Sequence, residues 1–104
     1  MKDSRQIAMA GDLSLDFCNA EVRLKDRKIG LTAKEFFLLK TLVKANGRVI
    51  TRGYLLSNIW GFDNVKEIKT RTVDAHIRSL RRKLKSEARR IITIKNFGYR
   101  FDNG

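Results

Sequence analysis

The sequence predicts an α+β fold, with a small antiparallel sheet toward the N-terminus, three helices in the middle and a β-hairpin toward the C-terminus. Three observations predict it. Apolar and polar residues alternate over residues 12–24, apolar residues recur at intervals of three and four between residues 32 and 84, and β-type runs return over residues 91–101. A chain of 104 residues suits a single domain, and an apolar share of 42% is enough for a packed core.

The first strands are read from Asp12-Leu13-Ser14-Leu15-Asp16-Phe17, Ala20-Glu21-Val22-Arg23-Leu24 and Lys28-Ile29, which Asn, Asp and Gly punctuate. Residues 6–9 are a candidate additional strand at the start. Cys18, the lone cysteine, continues the alternation and is expected to pack. With one cysteine and one histidine, His76, the chain can build neither an internal disulfide nor a Cys/His metal cluster, and no metal or cofactor is expected.

The period then changes. Thr32-Ala33-Lys34-Glu35 has the form of a capping box, in which the Thr32 hydroxyl accepts from the Glu35 amide and the Glu35 carboxylate accepts from the Thr32 amide. The helix that follows carries Phe36, Leu39, Leu42 and Val43 and stops at Asn46-Gly47. A second, short helix begins after Thr51 as N-cap, carries Leu55, Leu56, Ile59 and Trp60, and ends at Gly61. Residues 61–69 lack periodicity and read as a loop suited to contact with another protein.

The third helix, over about residues 70–85, has the clearest pattern: Val73, Ile77, Leu80 and Leu84 form one apolar stripe. At about 100° per residue, the opposite face centres on Arg71, Ala75, Arg78 and Arg82, with Ser79 at its edge. Three guanidiniums with a small residue between them can press into a groove. The last element is a hairpin of Ile91-Ile92-Thr93-Ile94 and Tyr99-Arg100-Phe101, with Lys95 at a basic tip and Gly98 available for positive φ.

Charge indicates the partner. The net charge is +12, and residues 66–100 hold twelve Lys and Arg against three acidic residues, whereas residues 1–47 hold nine against six. A basic segment so placed attracts a polyanion, with nucleic acid foremost. No apolar run is long enough to span a bilayer and no secretory core follows the N-terminus, so no membrane is implied and a cytoplasmic location is expected.

A sheet, three helices and a terminal hairpin, with the basic helix just before the hairpin, is the layout of a winged helix-turn-helix. The major groove of B-DNA admits an α-helix, and Arg can donate twice to guanine O6 and N7. Six blocks in order carry a more specific likeness: Leu31-Thr32-Ala33-Lys34-Glu35-Phe36, Gly47-Arg48-Val49-Ile50-Thr51-Arg52, Ile59-Trp60-Gly61, Arg71-Thr72-Val73-Asp74-Ala75-His76-Ile77-Arg78, Leu80-Arg81-Arg82-Lys83-Leu84 and Gly98-Tyr99-Arg100-Phe101. Over residues 12–102 the chain resembles the C-terminal effector domain of OmpR/PhoB-family two-component response regulators.

The resemblance implies a third helix in the major groove and a wing, about residues 91–101, at the minor groove. The DNA-binding residues it implies are Arg71, Thr72, Ala75, Arg78, Ser79, Arg81, Arg82, Thr93 and Lys95. Ser79 stands where several relatives have a second Arg, and Lys95 where an Arg is common, so a different consensus site and weaker readout of minor-groove width are expected. It further implies double-stranded DNA bound as direct repeats by a head-to-tail homodimer. RNA polymerase would be touched through Phe62, Asp63, Asn64, Val65 and Lys66, and an N-terminal receiver domain would lie outside this chain. Residues 1–11 then read as a linker remnant or tag and residues 12–104 as the effector domain.

Other classes fit less well. A receiver-less module for nonspecific nucleic-acid binding, or an RNA binder, calls for exposed aromatic platforms or wedges, and only Phe97 is a candidate. A winged-helix module for protein binding leaves the basic segment unexplained. An enzyme needs paired carboxylates, a Gly-rich phosphate loop or metal-ligand spacing, none of which is present. Asp74 and His76 do not face each other on a helix, so no catalytic pair is formed; His76 is expected to border the core and Trp60 to lie within it.

Overall fold

The computed structural model describes residues 6–61 and 70–104. An antiparallel sheet of four strands runs in sequence order: β1 (Ile7–Ala10), β2 (Leu13–Asp16), β3 (Glu21–Leu24) and β4 (Arg27–Ile29). Alternation sets the register, because Leu13 and Leu15 are buried on one face and pair with Leu24 and Val22. Ile7–Ala10 pairs along its whole length with β2, as the candidate strand over residues 6–9 anticipated, so the sheet begins inside the stretch also read as a linker remnant, ahead of residue 12. Cys18 does not pack. It is exposed in the turn after β2, where the Asp16 carboxylate accepts from the amides of Cys18 and Asn19 and ends the strand.

Helix α1 (Ala33–Lys44) opens on the expected capping box. Its buried residues, Glu35, Phe36, Leu38, Leu39, Leu42 and Val43, form a broad stripe, and the chain leaves it through Asn46 and Gly47 at positive φ. Strand β5 (Ile50–Thr51) leads directly into α2 (Arg52–Trp60), whose N-cap hydroxyl on Thr51 accepts from the Tyr54 amide at 3.1 Å. Thr51→Ala is expected to cost about 1 kcal/mol, read as a lower urea midpoint at unchanged slope.

Helix α3 (Arg71–Leu84) buries Val73, Ile77, Leu80 and Leu84 completely. A 3₁₀ segment (Lys85–Arg90) then leads into the hairpin of β6 (Ile91–Ile94) and β7 (Gly98–Phe101). β7 pairs with β6 on one side and with β5 on the other, giving a second sheet in the order β5-β7-β6. The core is continuous from Leu13, Leu15 and Val22 of the first sheet through the three helices to Tyr99 and Phe101 of the hairpin.

Two buried carboxylates fasten this core. Glu87 accepts from the Asp12 amide and from Arg90 Nε, and Arg90 Nη1 donates to the Asp102 carbonyl. That cluster joins the first sheet to the end of the chain. The second carboxylate is Glu35, which holds α3 through Ser79 and Lys83.

Candidate nucleic-acid interface

Helix α3 has four sides with separate tasks. Arg71, Ala75, Arg78 and Arg82 are all exposed, on the face opposite the buried stripe. The intervening flanks are committed to neighbours. On one flank Ser79 Oγ donates to Glu35 Oε2 at 2.6 Å and Lys83 Nζ donates to Glu35 Oε1 at 2.7 Å. On the other, Asp74 Oδ1 accepts from Arg52 Nε at 2.7 Å and from the Tyr99 hydroxyl at 2.5 Å. Arg81 Nη2 lies on this second flank and donates to the Ile91 carbonyl at 2.6 Å and to Thr93 Oγ1 at 2.8 Å.

These contacts sort the residues named from sequence. Arg71, Ala75, Arg78 and Arg82 come together on one free face. Arg81 and Thr93 are joined to each other, tying α3 to β6, and the Ser79 hydroxyl is turned toward α1. Thr72, half-buried in the first turn, has its carbonyl 2.9 Å from His76 Nδ1. Lys95 is exposed at the tip of the hairpin. Phe62, Asp63, Asn64, Val65 and Lys66 lie outside the described residues.

Sequence reasoning missed the group that orients the wing. Tyr99 is buried, with the Arg52 guanidinium 5.1 Å and the Arg81 guanidinium 5.6 Å from its ring. Burial raises the Tyr99 phenol pKa, and Asp74 raises it further, so Tyr99 stays a donor. Burial opposes ionisation of Asp74, but the Tyr99 and Arg52 hydrogen bonds prevail and lower its pKa. Asp74 is the acidic residue in the first turn of α3, and these partners offset its charge where an anion would otherwise be repelled. The available signal was that Arg52, Asp74 and Tyr99 each lie within one of the six sequence blocks.

The basic count also needs correction. Lys83 pairs with Glu35 and Arg90 is buried against Glu87, so part of the positive charge of residues 66–100 holds the fold together. His76 and Trp60 meet edge to face at 4.9 Å and both are half-buried; His76 borders the core as expected, whereas Trp60, expected within the core, packs against its edge. Among the described residues no group of His, Cys, Asp or Glu is placed to hold a metal, and no helix is long and apolar enough to cross a membrane.

Against known proteins, residues 26–101 match the family of transcriptional regulatory protein C-terminal domains. The sensory transduction protein RegX3 of Mycobacterium leprae is 34% identical over 97 residues, covering 90% of this chain and 48% of that protein. The chain thus spans about half the length of that relative. Among solved structures, the RstA DNA-binding domain of Klebsiella pneumoniae in complex with the RstA box has a TM-score of 0.83 at 31% identity, covering 95% of this chain and 99% of that one. DrrB of Thermotoga maritima, an OmpR/PhoB homologue, has a TM-score of 0.83 at 33% identity, covering 93% of this chain and 44% of that one.

Proposed function

The chain belongs to the family of transcriptional regulatory protein C-terminal domains, of the OmpR/PhoB response-regulator type, and on that premise we propose that it binds double-stranded DNA sequence-specifically to control transcription. The family is one of DNA-binding regulators, not enzymes. The observation that carries the proposal is the free face of α3, where Arg71, Ala75, Arg78 and Arg82 are exposed together while both flanks of the helix are fixed by neighbours. A reader helix needs such rigidity, because base contacts discriminate only when side chains are held to a fixed origin.

In this reading α3 enters the major groove. Arg78 and Arg82 reach base edges, Ala75 lies against a base or thymine methyl, and Arg71 with Thr72 meets phosphate at the helix N-terminus. Arg81 acts chiefly by positioning the hairpin, which leaves Thr93 facing a phosphate and Lys95 at the minor groove. Ser79 sets the reader through Glu35 in place of a bidentate guanine contact.

The full regulator carries a receiver domain, acts in the cytoplasm and binds direct repeats as a head-to-tail homodimer, with residues 62–66 meeting RNA polymerase. Likeness to a sensory transduction protein and an OmpR/PhoB-homologous response regulator, each about twice as long as this chain, supports this part. Selecting bound duplexes from a random double-stranded DNA library at near-physiological salt tests the reading. A short motif repeated at about one helical turn is the expected result. Retention without any motif overturns sequence specificity, and no retention overturns DNA binding by this chain.

A further inference from the structure

Phe97 is 65% exposed, more than any other aromatic ring among the described residues. It stands at the tip of the hairpin beside exposed Lys95 and Asn96. Its backbone is fixed from three sides. The Phe97 amide donates to the Ile94 carbonyl at 2.9 Å, and the Phe97 carbonyl accepts from the Arg52 amide at 3.4 Å. Asn96 supplies the left-handed residue of the turn at φ 70°, and Gly98 is pressed against β5. The ring is therefore held out on a rigid hairpin.

Its neighbours suggest what it meets. Lys95 shares the tip, and the hairpin is tied through Arg81 and Tyr99 to the helix whose other face carries the three exposed arginines. A lysine is a compact, strongly hydrated charge, poorly suited to filling a narrow groove. An aromatic ring beside it has the opposite property. The minor groove is walled by deoxyribose C–H surface, and apolar side chains such as Phe can enter it and wedge partly stacked base steps apart.

We propose that Phe97 is an apolar wedge for the DNA minor groove, seated against deoxyribose and base edges, and that Lys95 supplies the phosphate attraction that brings it there. The inference rests on the DNA-binding reading above. Because pyrimidine–purine steps unstack most easily, the wedge favours TA or CA steps where the wing lands. Its contribution comes from burial and stacking, so it does not depend on salt.

The test titrates the wild-type chain, F97A, F97L and K95A against the duplex selected by the wild type, from about 50 to 300 mM salt, bracketing the range where phosphate contacts weaken. Thermal melts check folding, which is expected to hold because both side chains are exposed. F97A is expected to bind about tenfold more weakly at every salt concentration, with an unchanged slope of log K against log salt, and F97L to recover part of the loss. K95A is expected to lower the magnitude of that slope by about 0.9. Repeating the selection with F97A is expected to flatten preference only at the wing-facing steps.

Wild-type affinity in F97A, or a loss accompanied by a changed slope, overturns the wedge while leaving the DNA-binding reading intact. Failure of the wild type to select any duplex overturns both.

Discussion

Glu35→Ala is expected to destabilise the domain by about 1.5–3 kcal/mol, the range for lost hydrogen bonds to a charged group, because Lys83, with 34% of its side chain exposed, can turn to water. Glu35 is only 3% exposed. Its Oε1 accepts from the Thr32 amide at 2.9 Å and from Lys83 Nζ at 2.7 Å, while Oε2 accepts from Ser79. Removing the carboxylate leaves a helix-terminal amide, a hydroxyl and an ammonium without their acceptor, and α3 loses its fixed rotation relative to α1. Urea denaturation gives the loss, and an effect below about 1 kcal/mol would mean that water replaces the carboxylate at little cost.

The same residue has a pH signature. Burial works against its charge, but hydrogen bonds from Lys83, Ser79 and the Thr32 amide outweigh it and lower the pKa from 4.5 to about 2. A depressed carboxylate stabilises the folded state above its unfolded pKa and loses that contribution as pH falls through the folded value. Between pH about 4.5 and about 2 the wild type should therefore lose up to about 3 kcal/mol through this group. Glu35→Gln should lack that part of the decline. Parallel pH profiles for the two proteins would refute the assignment.

Gly98→Ala is the second large effect. A Cβ at Gly98 would lie 2.1 Å from the Ile50 carbonyl oxygen and 2.9 Å from Thr51 Cα. Both obstacles are backbone, so no side chain can swing aside to admit the methyl group. β5 and β7 must separate at the Thr51–Gly98 pair, and with them the N-cap of α2 and the base of the wing. A loss of about 2–3 kcal/mol in urea is expected, together with weakened binding of the selected duplex. Unchanged stability would show that the β5 contact is dispensable.

Gly98 also illustrates what sequence reveals and what it hides. The alternating runs and terminal β-type residues exposed the hairpin, but they offered its glycine for positive φ. In the structure Asn96 adopts that conformation and Gly98 yields space to a strand 47 residues earlier in the chain. β5 itself is only two residues long, too short for a period to register. Local signals fared well where the physics is local: the capping box of Thr32 and Glu35, and the α3 stripe whose four apolar residues are fully buried.

Non-local pairing was the part that stayed hidden. Nothing in the spacing of Glu35 indicates that Ser79 and Lys83 converge on it, and Lys83 therefore read as surface charge. Arg90 did likewise for the same reason. The free face of α3 was legible because it follows from helical periodicity alone. Which of its neighbours were already occupied, as Arg81 is by Ile91 and Thr93, required the tertiary fold.

We propose that the exposed α3 face reads bases. The most direct test compares wild type and Arg78→Ala against the selected duplex and every single-base substitution of it, at one salt concentration. An overall loss of about 1–3 kcal/mol is expected, with relaxed discrimination at one base pair or two adjacent ones and preference elsewhere retained. Equal weakening on every duplex would contradict it, making Arg78 a phosphate contact and leaving sequence readout to another surface.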